Sequence, residues 1–349
     1  MRALVYHGPG QKSWEEVPEP SLQAETDVIV GIDAVTICGT DLHILKGDVP
    51  EVEAGRVLGH EAVGTVEEVG SAVRTVRPGD HVLVSCIAGC GTCRFCREAR
   101  YGQCLNGGGW TLGHTIDGVQ AEYARVSFGD LSTHPIPEGV SDEAAVMRAD
   151  ILPTSFEVGV LAGQVKPGDT VVIVGAGPIG LAAIMTARLY SPSRIIVVDP
   201  AGPRRDAAKQ LGAQVVLDPM TEDVAEVVTS VTGGLGADVV MEAVGVPESF
   251  ELCATLVRPG GHLANIGVHG APATLHLESL WIKDVTITTG LVDTRTTPTL
   301  MRLLAQGQLD ASSIVTHRFG LDQMMEAYDV FARPAETGAL KVVLQRQAG

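Results

Sequence analysis

A strand that runs straight into a glycine-rich turn and then an apolar helix constrains this chain more than any other feature. Val171-Val172-Ile173-Val174 leads into Gly175-Ala176-Gly177-Pro178-Ile179-Gly180, and Leu181-Ala182-Ala183-Ile184 follows. The spacing G-x-G-x-x-G is weak alone, but after a strand and before a helix it has the context of a phosphate cradle. Gly175 allows the tight turn, Gly177 permits a pyrophosphate to approach the backbone, and Gly180 lets helix and strand pack closely. The helix N-terminus, with Pro178 and Ile179 in its first turn, offers free N–H groups and a positive dipole to the phosphates.

The pattern continues on both sides of this loop. Strand-like runs at Thr170 to Val174, Arg194 to Val198, Gln214 to Leu217, Ala237 to Met241 and His262 to Ile266 alternate with helical runs. The helical runs are Pro178 to Tyr190, Arg204 to Leu211, Glu222 to Val231 and Pro247 to Val257. Continuous apolar strands between such helices predict a parallel sheet covered on both faces, and Asp284 to Thr289 adds a sixth strand. The uncharged run Thr170 to Ala187 would pass for a membrane span, but its glycines and Pro178 fit the cradle instead. Asp199 ends the second strand at about the 20-residue distance where a carboxylate meets the adenosine ribose. It would also repel a 2′-phosphate, which favours NAD over NADP. Arg204 and Arg205 leave two readings, a 2′-phosphate site or a solvated helix face.

Residues 1 to about 150 read differently. Short Val-rich segments, Val28 to Ile32, Ala62 to Val69 and His81 to Val84, alternate with turns such as Arg77-Pro78-Gly79-Asp80. They predict a small barrel with long loops. Val165-Lys166-Pro167-Gly168-Asp169 repeats that turn ahead of a strand. Near the C-terminus, a helix is expected at Pro298 to Gln306 and a strand at Leu340 to Leu344. With 349 residues, 45% hydrophobic and 19% charged, the chain has material for two packed domains. Its net charge of −17 repels phosphate backbones and anionic lipids, so neither nucleic acid nor membrane is an expected partner. The apolar stretch near Met1 is too short for a signal segment, and a soluble cytoplasmic protein is expected.

Four of the seven cysteines crowd together as Cys90-x2-Cys93-x2-Cys96-x7-Cys104. Four thiolates on one loop can close a tetrahedral zinc site with no open position, so its role would be structural. An iron–sulfur cluster is the rival, but its bacterial run places the fourth cysteine three residues on, before a proline. Here Leu105 follows. Cys86 and Cys253 read as small buried hydrophobes. Elsewhere, Cys38-Gly39-Thr40-Asp41-Leu42-His43 precedes Gly59-His60-Glu61-Ala62-Val63-Gly64. Cysteine and histidine are both zinc ligands, yet these residues alone favour Cys38 as a core residue and His60 as a loop histidine.

Gly-His-Glu before a Val-rich strand, the four-cysteine lobe and the later nucleotide fold, in that order, resemble the zinc-dependent medium-chain alcohol dehydrogenases over nearly the whole chain. The resemblance implies an α/β architecture. A GroES-like β-barrel catalytic domain would comprise 1–152 and 294–349, with a zinc lobe at about 86–108. A doubly wound Rossmann domain would occupy 153–293. It implies two zinc ions per subunit, one structural at the four cysteines and one catalytic. The catalytic ion would be held by Cys38, His60 and a third ligand, leaving a position for water or substrate oxygen. Many members use a second cysteine as third ligand, and none is available here. The matching position is Asp150, with Glu61 as an alternate and Glu157 a weaker candidate. Asp41 resembles the carboxylate that bonds the zinc-bound histidine; as an ordinary helix cap it has a second reading. Thr40 resembles the hydroxyl residue beside the alcohol oxygen, and His43 the histidine that passes the proton outward through a cofactor ribose. Thr154 resembles the threonine packed on the nicotinamide, and Lys341 a cation that reaches the pyrophosphate. Trp110 either lines the substrate pocket or packs under the lobe, and His114 is similarly ambiguous.

The implied activity is reversible hydride transfer between a primary or secondary alcohol and NAD, giving the aldehyde or ketone, by a homodimer or homotetramer. A polyol or amino-alcohol (threonine-type) dehydrogenase of the same family is the alternative. A zinc-free quinone reductase would lack Cys38, His60 and the four-cysteine lobe. A non-catalytic relic would have lost ligands or relay residues, and none is obviously missing.

Overall fold

A computed structural model describes residues 1–346. The chain divides into two compact units, Met1–Pro153 together with the segment from Val292 onward, and Thr154–Leu291.

In the first unit a seven-stranded sheet carries the core. Its order is Val315–Gly320, Lys341–Gln345, Val28–Thr36, Ala62–Val69, His81–Val84, Thr133–Pro135, and Tyr123–Val126 also pairs with Val28–Thr36. All pairings are antiparallel except Val315–Gly320 with Lys341–Gln345. Val28, Val30, Ile32, Val66, Val82 and Val84 fill the interior, joined by Val342 and Leu344 from the C-terminal strand. That strand sets Val343 opposite Thr36 and Leu344 opposite Val35, so the end of the chain completes the sheet that the beginning starts. The Val28 strand runs to Thr36, four residues beyond its expected end, because Ala34 and Val35 are as buried as the residues before them.

The second unit is a six-stranded parallel sheet ordered Val215–Leu217, Arg194–Val198, Thr170–Val174, Ala237–Glu242, Val257–Asn265, Thr286–Thr289. Val171–Val174 and Ile195–Val198 are buried along their length, as central parallel strands covered by helices must be. Several expected helix ends move; the Arg204 run spans Gly202–Gln210 and the Pro298 run Thr297–Ala305. The first helix is regular over Pro178–Ala187 and tightens over Arg188–Tyr190. The Glu222 run begins at Val224, where the Asp223 carboxylate accepts the Glu226 N–H at 3.0 Å. Val257 belongs to the next strand, because the helix before it stops at Leu256. The repeated Pro-Gly-Asp turns share one geometry. Asp80 accepts the Arg77 N–H at 2.9 Å and Asp169 the Lys166 N–H at 2.8 Å, and the glycines Gly79 and Gly168 have φ of 91° and 90°. Among the described residues, no helix is long and apolar enough to cross a membrane.

Candidate functional site

Cys38 caps the helix Gly39–Lys46, His60 stands in the turn before the Ala62–Val69 strand, and Asp150 precedes the short helix Ile151–Thr154. All three are buried, and their ligand atoms lie within 4.8 Å of one another. Asp150 Oδ2 is 3.5 Å from both Cys38 Sγ and His60 Nε2. The pocket is rich in negative charge. Burial, then Glu61 and Asp150, raise the Cys38 thiol. Burial pulls His60 down, but its contacts with Asp150 and Cys38 outweigh this and hold it well above its ordinary value. Behind His60, Asp41 Oδ1 lies 3.9 Å from His60 Nδ1, and neither atom has a hydrogen-bond partner. A sulfur, a nitrogen and an oxygen donor converging in a buried, anionic pocket match the ligand preferences of zinc and leave one position open.

The four-cysteine loop is a second group of this kind. Its sulfurs lie within 4.8 Å of one another. Backbone donors point at them: Cys93 N–H to Cys90 Sγ at 3.4 Å, and Cys96 and Leu105 N–H to Cys93 Sγ at 3.5 Å. Slight burial raises Cys90, but the hydrogen bonds from Thr92 and Cys93 bring it to about 5. Burial and three neighbouring sulfurs push Cys96 up to about 12. Thiolate ligands held by N–H groups fit a closed zinc site.

In the second unit, the Gly175–Gly180 loop leaves the strand Thr170–Val174 and enters the helix Pro178–Ala187. Gly175 takes φ of 99°, which favours glycine. A Cβ on Gly180 would stand 1.9 Å from the Gly175 carbonyl oxygen, whereas one on Gly177 would meet nothing within 4 Å. The turn is therefore closed at its base and open where a pyrophosphate would lie. Pro178 is in the first helical turn, and the Ile179 carbonyl accepts the Ser155 hydroxyl at 2.9 Å. Asp199 is buried at the end of the next strand, accepting the Ala176 and Ala201 N–H groups at 2.8 Å each.

Residues 24–138 match the family described as alcohol dehydrogenase GroES-like domain, and residues 178–306 that described as zinc-binding dehydrogenase. An alcohol dehydrogenase of Cupriavidus necator is 36% identical over 364 aligned positions, covering 99% of this chain and 98% of the relative. The chain belongs to the zinc-type alcohol dehydrogenase family. It is thus an enzyme, an alcohol oxidoreductase with a GroES-like domain and a nucleotide-binding parallel sheet. A zinc-dependent alcohol dehydrogenase 2 from Streptococcus pneumonia, solved in its apo form, has a TM-score of 0.95 at 43% identity, covering 100% of this chain and 99% of that one. An alcohol dehydrogenase from Escherichia coli CFT073, complexed with NADH, has a TM-score of 0.89 at 27% identity, covering 99% of each chain. The two groups found above are compatible with the catalytic and structural zinc of this alcohol dehydrogenase family.

The remaining positions divide. Thr40 Oγ1 is 3.7 Å from Cys38 Sγ, and His43, on the same helix, bonds Asp48 through Nδ1 at 2.8 Å. Asp41 fits its reading as a helix cap, since its Oδ2 accepts the Cys38 N–H at 2.9 Å, while its Oδ1 stands 3.9 Å from His60 Nδ1 without a hydrogen bond. Glu61 is fully buried and is not one of the three converged groups; its Oε2 accepts from the Thr36 hydroxyl and the Lys341 ammonium. The Lys341 ammonium is buried in the first unit, 2.5 Å from Glu61 and 3.2 Å from the Ile37 carbonyl oxygen. Glu157 is buried in the second unit, and Thr154 begins that unit. Cys86 is buried as expected, but it is more than filler: its Sγ lies 3.6 Å from Asp150 Oδ1. Trp110 packs against the first unit's core, stacks on His114 at 4.2 Å, and turns its edge to His60 at 6.2 Å.

Proposed function

We propose that this chain oxidises a primary or secondary alcohol to the aldehyde or ketone with NAD, and catalyses the reverse reduction, at Cys38, His60 and Asp150. The observation that carries this reading is the convergence of those three unlike, buried donors within 4.8 Å. They would hold a catalytic zinc ion, and Cys90, Cys93, Cys96 and Cys104 a structural one. Zinc held by three protein groups supplies Lewis acidity at its open position, which lowers the pKa of an alcohol.

The chain's own residues manage the proton. The Thr40 hydroxyl, beside Cys38, accepts it from the alcohol as it gives up its own proton in the direction of His43. His43 lies one helical turn further on. With Nδ1 bonded to Asp48, its other ring nitrogen receives the proton and releases it to water, a task suited to an imidazole near neutrality. Gly175, Gly177, Pro178, Ile179 and Gly180 would seat the pyrophosphate, Thr154 the nicotinamide and Asp199 the adenosine ribose. Arg205 is held by Asp218 at 3.1 Å and by the Asp199 carbonyl at 2.7 Å, and Arg204 lies 3.9 Å from Asp199 Oδ2. The Asp199 carboxylate itself, which would repel a 2′-phosphate, supports NAD over NADP.

The exposed strand Thr286–Thr289 at one sheet edge, with Trp281 and Ile282 each over 70% exposed nearby, supports a homodimer or homotetramer assembled there. The unpaired thiols support a reducing, cytoplasmic setting. A panel of primary, secondary, polyol and amino alcohols, followed by NADH absorbance, tests the reading. Activity with simple alcohols, abolished by dialysis against a strong zinc chelator, is expected. Turnover indifferent to the chelator, or a higher kcat/KM with NADP, would contradict it.

A further inference from the structure

The carboxylate behind His60 is itself held by two residues from distant parts of the chain. Gln120 Nε2 donates to Asp41 Oδ2 at 3.0 Å and to the Thr36 carbonyl oxygen at 3.3 Å. Gln120 Oε1 accepts the Tyr328 hydroxyl at 2.7 Å. Gln120 and Tyr328 are both fully buried. Chemistry fixes the direction of this chain. A carboxylate accepts only, so Gln120 must turn its NH2 to Asp41; its amide oxygen then faces Tyr328, which must donate. Reversing any one bond leaves a buried polar group unmatched, so the arrangement is specified as a whole.

Gln120 also touches the backbone that presents the ligand. A Cβ on Gly59 would stand 2.5 Å from Gln120 Cγ and 2.9 Å from the Gln120 nitrogen. The side chain thus lies against the residue before His60 and bonds the carboxylate beyond it. What remains open is Asp41 Oδ1, facing His60 Nδ1 at 3.9 Å, both atoms unpartnered.

We propose that Gln120 and Tyr328 are positioning residues for His60, acting through Asp41. They hold Asp41 Oδ2, so that Oδ1 stays aimed at Nδ1, keeps the ring proton there and leaves Nε2, the atom 3.5 Å from Asp150, as the metal ligand. This inference rests on the reading of Cys38, His60 and Asp150 as a zinc site.

The test uses the full chain loaded with zinc and two variants, Gln120→Leu and Tyr328→Phe. Tyr328→Phe removes one oxygen and keeps the ring, so it carries the test if Gln120→Leu does not fold. Two readouts do not depend on turnover: the rate at which zinc passes to a chelator, and the visible absorption of cobalt in its place. Gln120→Leu is expected to lose one of the two zinc ions about 10-fold faster, the order seen when a partner of a metal-bound histidine is removed. Tyr328→Phe should move in the same direction by less, and both should shift the cobalt band while the four-cysteine zinc is retained. Wild-type release and an unshifted band in either folded variant would overturn the proposal. Cys38→Ser separates the two ideas: it should bind one zinc fewer than the wild type. An equal zinc content in Cys38→Ser would sink the zinc-site reading, and with it this inference.

Discussion

His134 lies away from the metal groups, at the strand Thr133–Pro135, and its Nε2 is buried without a partner. Burial lowers its pKa to about 4, against 6.5 in an unfolded chain. Below pH 6.5 the unfolded chain takes a proton that the folded chain refuses, so stability is complete above 6.5 and falls as the pH drops toward 4. That difference caps the loss at about 3 kcal/mol. Replacing His134 with Leu should flatten the Tm-against-pH curve over that interval, and an unchanged acid limb would disprove the assignment. His43 makes a kinetic counterpart. Without its ring, His43→Gln should slow turnover mainly below neutral pH while leaving zinc content intact, and a wild-type pH–rate profile would remove it from the proton path. That Thr40, Asp41 and His43 stand close to Cys38 was legible because one short helix carries them. The Lys341–Glu61 pair spans 280 residues and the Tyr328–Gln120 bond 208, and no local pattern in a sequence encodes such a meeting.

Whole elements were readable where a rule acts over a few neighbouring residues. The Val171–Val174 strand, the glycine turn and the helix behind it follow from apolar runs and from one backbone conformation that suits glycine. The segment after Asp150 was not readable. Its helical turns over Ser155–Leu161 are widened, with the Ala162 N–H donating to the Glu157 carbonyl five residues back, and composition does not signal that. Before Asp150, within the first unit, Arg148 pins the chain. It is fully buried, and its guanidinium donates to the carbonyl oxygens of Ala144, Leu300 and Leu309. Burial lowers its pKa to about 10, still leaving it charged at neutrality. One side chain thus joins the helix Asp142–Val146 to the helix Thr297–Ala305, two residues before Asp150. Arg148→Met fills similar space but strands the carbonyls, so a loss of about 3 kcal/mol in urea unfolding is expected. A loss below about 0.5 kcal/mol would mean that the carbonyls find water instead.

At the scale of the molecule, the two metal groups make different demands on the fold. Cys38, His60 and Asp150 come from three separated stretches of a unit whose sheet and core already bring them together, so the fold does not depend on the ion there. The Cys90–Cys104 loop holds only a four-residue helix, Arg94–Arg97, and a single turn, Tyr101–Gln103. It has little apolar surface of its own to bury, so the ion supplies what packing does not. Graded zinc removal should therefore separate function from stability. The three-ligand site, with its open position, should empty first, ending alcohol oxidation while Tm changes little. Emptying the four-thiolate site should then lower Tm and expose the loop to proteolysis between Gly89 and Asn106. Cys93→Ser should reproduce the second stage alone, with less zinc and a lower Tm. If activity and Tm instead fell together at the first equivalent of zinc lost, the division into a reactive and a supporting ion would be wrong.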